Sequence, residues 1–339
     1  LAQSKLWKAG TLCITIAANI ADTAILGIDA CFPDSVIGFI PSPGKADARF
    51  IKYLFDALLK KRFQKFTQGA AQDNLSQEKL LSLKFPTPDL RTQTRIADTL
   101  STYDDLIENN RRRIQLLEQS ARLLYKEWFI RLRFPGHEHV KIKDGVPEGW
   151  ESKTVNELSS YLNRGITPKY DEDSACMVIN QKCIRDRLIN LELARRQSKE
   201  VPQEKFVKFG DVLVNSTGEG TLGRVAQLSS ELENCTVDSH ITIVRPTKGI
   251  PVFYFGLYLI SLESYFSTMG RGATNQTELS RSTIGDIKIL VPAPTVVKEF
   301  EGLVGPIYQQ VNKLIVQNKK LTEARDLLLP RLMNGEIEV

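Results

Sequence analysis

The chain repeats itself, and that limits what it can fold into more than any other feature. Cys31-Phe32-Pro33-Asp34-Ser35-Val36-Ile37 aligns with Cys235-Thr236-Val237-Asp238-Ser239-His240-Ile241, 204 positions further on. Upstream, Trp7-Lys8-Ala9-Gly10-Thr11-Leu12 resembles Lys208-Phe209-Gly210-Asp211-Val212-Leu213. Downstream, Phe63, Gly69, Leu75-Ser76 and Pro86-Thr87-Pro88 fall on Phe266, Gly272, Leu279-Ser280 and Pro292-Ala293-Pro294. Each match is weak alone, but their collinear order at a nearly constant offset is specific. A period of about 205 residues is a tandem domain duplication, since solenoid repeats are only about 20–45 residues long. The second copy opens with a front portion, Pro147 to about Lys205, that the first lacks. The expectation is therefore that Leu1 lies inside the first copy, whose front is absent through truncation, gene splitting or loss from the record.

Composition narrows the class. The 339 residues carry 45 Lys+Arg against 40 Asp+Glu, a net charge of +5 that fits either a nucleic-acid partner or a plain enzyme. With 42% apolar and 25% charged residues the chain reads as globular rather than disordered. No apolar run approaches the ~18 residues of a membrane span, and the start does not read as a signal peptide. Cys13, Cys31, Cys176, Cys183 and Cys235 are too irregular for a disulfide framework. The expected setting is cytoplasmic.

Each copy reads as α+β. Asp211–Asn215, Arg224–Leu228 and His240–Val244 are short runs rich in β-branched residues, broken by Gly, Ser and Asn. Apolar spacings of three and four predict helices over Phe50–Phe66 and Val252–Met269. A long helix then closes each copy. In the first, Ile96, Leu100, Tyr103, Ile107, Asn110, Ile114, Leu117, Ala121, Leu124 and Trp128 form a heptad seam. In the second, Phe300, Val304, Ile307, Val311, Leu314, Asn318, Leu321, Arg325, Leu328 and Leu332 do the same. Asn110 and Asn318 are polar seam residues of the kind that fix register. The alternative is two separate amphipathic helices, each packed on its own domain. The matched lengths favour an antiparallel pair joining and spacing two repeated domains. The division is 1–90, a first domain; 91–146, a central helix and linker; 147–294, a second domain; and 295–339, a C-terminal helix.

The motifs argue against chemistry in this chain. Gly218-Glu219-Gly220-Thr221-Leu222-Gly223 matches a dinucleotide fingerprint, which requires a helix after the third glycine. Arg224–Leu228 reads as a strand, so the glycines make a turn. Cys176 and Cys183, with six residues between them, lack zinc-knuckle spacing, and His137-Glu138-His139 lies in a polar linker. Ser239-His240 has no counterpart in the first copy, where Val36 takes the histidine's place. No catalytic triad, metal site or phosphate loop is found. Polar side chains in loops remain: Arg164, Thr167 and Lys169; Asn180, Gln181 and Lys182; Ser216, Thr217 and Arg224; Arg271, Asn275 and Gln276. Arg, Lys, Asn and Gln match guanine and adenine edges in the major groove, although solvated turns have the same composition.

Pro-Glu-Gly-Trp (147–150), Arg-Gly-Ile-Thr-Pro (164–168), Phe-Gly-Asp-Val-Leu-Val-Asn-Ser-Thr-Gly (209–218), Leu-Gly-Arg-Val-Ala (222–226), the Gly-rich Asn-Gln stretch (270–276), Leu-Ser (279–280) and Val-Pro-Ala-Pro (291–294) come in order before a long helix. This series resembles the specificity subunits of type I restriction–modification systems. The resemblance implies two target-recognition domains, each reading half of a bipartite site in double-stranded DNA. It implies paired helices that set the half-site spacing and dock two modification subunits, which hold S-adenosylmethionine and the adenine methyltransferase chemistry. Restriction subunits with translocase and nuclease activity add to that core, and the specificity subunit itself binds no cofactor and is not an enzyme. The competing expectations are a truncated scaffold that reads a single half-site and, less favoured, a nuclease or nucleotide-binding enzyme.

If the helix pair is a ruler, its length sets the recognised spacer. Ile96–Trp128 would span roughly 50 Å at about 1.5 Å per residue. One heptad inserted into both helices keeps the seam and moves the domains by about 10 Å. The spacer should then lengthen by roughly three base pairs at about 3.4 Å each, with the half-sites unchanged, as read by genome-wide mapping of methylated sites.

Overall fold

The computed structural model describes residues 5–17, 20–58, 77–269 and 278–339. Phe63, Gly69, Leu75, Ser76 and Gly272 of the repeat lie outside them, as do Arg271, Asn275 and Gln276 of the polar loops and the expected helix end at Phe66. Two compact units emerge, Leu1–Arg112 with Leu314–Val339, and Arg113–Lys313. Each unit thus takes in one half of each long helix.

In the first unit, β1 (Leu12–Thr15) is the centre of a three-stranded antiparallel sheet between β2 (Thr23–Ile25) and β3 (Val36–Phe39). Alternation places Leu12 and Ile14 on one face, where Phe55 of α1 (Ala48–Leu58) covers them. A short helix, α2 (Gln77–Ser82), precedes the long α3 (Leu90–Tyr125).

The second unit builds the same sheet and adds to it. Besides two hairpins of two-residue strands, it has β4 (Glu151–Thr154), β5 (Ser159–Arg164), β6 (Met177–Ile179), β7 (Arg195–Arg196), β8 (Val212–Asn215), β9 (Val225–Gln227), β10 (Cys235–Val237), β11 (Ile241–Pro246) and β12 (Lys288–Val291). β8 lies between β9 and β11, all antiparallel, as β1 lies between β2 and β3; β5 extends this sheet beyond β11. A second sheet has the order β7-β6-β10, and β4 pairs with β12. The helices are α4 (Val252–Ser261), α5 (Glu263–Met269), α6 (Arg281–Gly285) and the long α7 (Pro294–Met333). The single helix expected over Val252–Met269 is two, broken at Leu262. β9 directly follows Gly218–Gly223, so those glycines close a turn between strands.

Backbone bonds fix how the copies correspond. Gly10 N donates to Leu26 O as Gly210 N does to Leu228 O, and Thr15 N to Asp22 O as Asn215 N to Arg224 O. Ile16 N donates to Ser35 O as Ser216 N does to His240 O, and Trp7 N to Ala30 O as Val207 N to Cys235 O. The ladder therefore sets Ser35, not Val36, opposite His240, and Ala30, not Cys31, opposite Cys235. The sequence alignment is one residue out because it followed side-chain identities across loops of unequal length. Cys31 is accordingly exposed while Cys235 is buried.

The two sheets differ on their other face. Leu213, Ala226, Ile241 and Ile243 are all 0% exposed beneath the layer that carries Ile179, Cys183 and Ile184. By the same hydrogen-bond register their counterparts are Cys13, Ala24, Val36 and Gly38, of which Ala24 is exposed and Cys13 and Val36 are half-buried. Trp7 packs against Gly38, where any Cβ would stand 2.5 Å from its ring. Ile28 and Ile40 are 73% and 61% exposed. Among the described residues Trp7, stacked on Phe32, packs on this face at Gly38, and the rest of the face lacks the layer that covers the second sheet.

The long helices pair antiparallel within each unit. In the first, Ile96, Ala97 and Leu100 pack with Leu328 and Leu332 against Phe50 and Tyr53, and Asn110 Nδ2 donates to Asn318 Oδ1 at 2.9 Å. In the second, Ala121, Tyr125 and Trp128 share a core with Phe300, Val304 and Tyr308. Val311 and Leu314 are buried, and Leu321 and Leu328 half-buried, as the seam requires. The expected seam departs at three places. Glu118, Tyr125 and Tyr308 are the buried residues, and Leu117, Leu124 and Ile307 are only half-buried. A helix of 3.6 residues per turn drifts against a strict 3.5 repeat, so after Ile114 the buried position slips by one.

That slip buries a carboxyl. Burial pushes Glu118 up to about 7, with Arg122 opposing, and the Glu118 charge in turn bears on Tyr308. Because the folded value lies above the unfolded one, the group favours folding in acid, and that contribution is lost as pH rises towards and through 7. From pH 5 to 9 it should lower stability by about 2–3 kcal/mol. Urea unfolding across that range should show the decline in the native chain and its absence in E118Q.

Candidate nucleic-acid interface

Of the described polar residues singled out in the sequence, Arg164, Gln181, Ser216, Thr217 and Arg224 lie at one end of the β5-β11-β8-β9 sheet, where β5 and β8 finish. Gly165 allows this. A Cβ there would stand 1.9 Å from Val237 O, so only glycine lets the strand end approach β10 so closely. Next to it, Ile166 bridges to Asp238. Asp238 is buried and its carboxyl is raised above the ordinary range by burial, opposed by the His240 backbone N–H, which donates to it at 2.9 Å.

Most of the described members of the expected contact set are engaged within the protein. Asn180 caps the turn at Gln181–Cys183, accepting from Lys182 N at 2.9 Å, and donates to Leu193 O at 2.9 Å. Gln181 Nε2 donates to Thr217 O at 2.5 Å and to Thr217 Oγ1 at 3.0 Å, while its own carbonyl accepts from Asn215 Nδ2. Gly218, at φ +102°, keeps that space open, because a Cβ would meet Gln181 Nε2 at 2.6 Å. Ser216 is fully buried and shares a 2.6 Å hydrogen bond with Thr242. Arg224 donates to Ile184 O and Gly220 O. Thr217 Oγ1 lies 2.6 Å from His240 Nδ1. Amide, hydroxyl and guanidinium groups satisfied this way shape loops, and a base edge could use them only after their present partners let go.

Thr167, Lys169 and Lys182 face solvent. Among the described residues, neither lysine has an ion-pair partner. They are the members of the expected set best placed to meet a phosphate backbone. Arg164 is different again. Its Nη2 donates to Glu278 Oε1 at 2.6 Å and to Leu279 O at 3.4 Å.

Around Arg164 the structure gathers residues outside the expected set: Asn163, Glu278, Ser280, Arg281 and Ser282 line with it an open cleft of about 580 Å³. Arg281 Nη1 donates to Asn163 Oδ1 at 2.9 Å, and Ser280 caps α6 by accepting from Thr283 N at 3.0 Å. Leu279-Ser280 was legible as part of the repeat, and Arg281 directly after it was the available signal. Among the described residues, no group of three or more His, Cys, Asp or Glu could hold a metal ion, and no helix is long and apolar enough to cross a membrane.

Comparison with known proteins bears on this geometry. The family model of the type I restriction modification DNA specificity domain matches residues 2–119. The type I restriction enzyme MjaIX specificity subunit of Methanocaldococcus jannaschii is 25% identical over 352 residues, an alignment covering 99% of this chain and 79% of that one. Residues 2–119 thus resemble a type I specificity domain, and the chain is similar to type I specificity subunits along nearly all of its length. A second specificity subunit, that of the HindI enzyme of Haemophilus influenzae, is 26% identical over 327 residues, covering 76% of this chain and 69% of its own. The crystal structure of the type I restriction–modification S subunit from M. genitalium superposes with a TM-score of 0.58 at 17% identity, covering 98% of this chain and 84% of that one. At that identity the S-subunit likeness speaks for the fold: repeated α+β domains joined by long helices.

Proposed function

We propose that this chain is the DNA-recognition subunit of a type I restriction–modification complex. Each target-recognition domain reads one half of a bipartite double-stranded site, and the helix pair sets the distance between halves. The chain carries no reaction of its own. Two modification subunits dock on the helices and bring S-adenosylmethionine, restriction subunits join them, and the complex works in the cytoplasm.

One observation carries the reading: a single three-strand framework occurs twice, each copy followed by a long helix, in a chain similar to a specificity subunit along 99% of its length. A bipartite target needs two readers of common design, and a fixed spacing needs a stiff connection. The loop chemistry supports the role without deciding the sequence read, since so many of the candidate side chains are held by one another.

A second reading has one observation in its favour. The thinner cover on the first sheet, with Ile28 and Ile40 exposed, fits a scaffold in which only the second domain reads DNA. The two readings predict different methylation patterns.

Modest net charge and internally paired loops predict weak binding and a shallow salt dependence for the chain alone. Adding the two modification subunits should tighten binding and confine methylation to sites with two defined halves at one spacing. A single defined half would select the scaffold reading. Nanomolar, sequence-selective binding by the isolated chain would contradict the requirement for the complex.

A further inference from the structure

The cleft beside α6 holds two guanidinium groups in unlike states. Arg164 is committed, its side chain paired with Glu278 and turned towards Leu279 O. Arg281 has no acidic partner among the described residues. Its one hydrogen bond among them is to the neutral Asn163 amide oxygen, while the nearby Glu278 carboxylate is paired with Arg164. Asn163 is itself fixed, because its Oδ1 also accepts from Arg164 N at 3.0 Å. Ser282 lines the same cleft, its hydroxyl sharing a 2.8 Å hydrogen bond with that of Ser280.

A planar, permanently charged fork held on one side and open on the other, with a hydroxyl nearby, suits a tetrahedral oxyanion. The cleft is open and polar-walled, which suits a phosphate on a polymer passing across it rather than an engulfed small molecule. Glu278 would repel such an anion, and its pairing with Arg164 largely cancels that charge.

From this we infer that Arg281, with Ser282, is a backbone-phosphate contact of the second recognition domain, and that Arg164 is a positioning residue whose pairing with Glu278 holds the cleft wall. The inference rests on the DNA-recognition reading and assigns to Arg164 a different role from the base contact its sequence suggests. A phosphate contact fixes the domain's register on the duplex without reading sequence.

The test uses the complex with both modification subunits, a cognate duplex and a scrambled one, and dissociation constants across a salt series. R281Q should weaken both duplexes by the same factor and reduce the slope of log affinity against log salt by about one. R281K should keep most of the slope. R164Q should leave the slope unchanged while lowering the thermal midpoint of the chain. Wild-type binding with an unchanged slope in R281Q would overturn this inference alone, as would an R281Q loss confined to one base position. A wild-type complex that bound neither duplex would overturn the DNA-recognition reading, and this inference with it.

Discussion

A hydrogen bond between two asparagines 208 residues apart in sequence fixes how the chain is put together. Asn110 and Asn318 sit in a mainly apolar stretch of the seam, where an unsatisfied amide would cost about 1–3 kcal/mol. They satisfy one another only in one antiparallel register, and Asn318 Nδ2 also donates to Ile107 O at 3.3 Å. A one-turn slip would keep much of the apolar contact but leave both amides without partners. The seam's hydrophobic surface thus supplies the attraction and the amides supply the register. A charged network extends the lock towards the first sheet's helix: Arg325 donates to Asp104 at 2.6 Å, and Tyr53 of α1 donates to the other oxygen of Asp104 at 2.7 Å.

The second unit ties its sheet to its helices by its own means. Glu301 on α7 accepts from Tyr254 N, and Asn312 bonds both the hydroxyl and the carbonyl of Ser229. Phe253 stacks on Tyr308 with ring centres 4.7 Å apart. A buried ion pair closes the sheet's far end, where Arg245 donates to both oxygens of Asp211 at 2.8 Å and to the carbonyls of Glu204 and Phe206. The corresponding positions of the first unit, by the shared hydrogen-bond register, are Thr11 and the exposed Ile40. The charged pair goes with the covering layer, since Arg245 grips the segment that closes over the second sheet.

Much of this was legible in the sequence. Repeated motifs announced two copies, heptads announced the helix pair, and a strand after Gly223 ruled out the dinucleotide site. Glu118 and Tyr308 escaped because a strict heptad template cannot follow the drift of a real helix over four turns. The alignment of Cys31 with Cys235 failed because chance identity across a loop outweighed a ladder that only backbone bonds define. The contact residues were the least legible. Asn180, Gln181, Ser216 and Arg224 have the composition of a base-reading surface, yet each is held by partners at least thirteen residues away in sequence. Residue type shows what a side chain could bind, and only the fold shows whether it is free to do so.

Asn110 and Asn318 act as one unit that sets the helix register. A double-mutant cycle in denaturant unfolding tests it most directly, with Asn110→Leu, Asn318→Leu and both together. Each single change should destabilise the chain by about 1–3 kcal/mol, because it strands the remaining amide in the seam. The double change should recover most of that loss, giving a coupling of at least about 1 kcal/mol. Additive effects of the two substitutions would contradict the claim and leave the helices held by apolar packing alone.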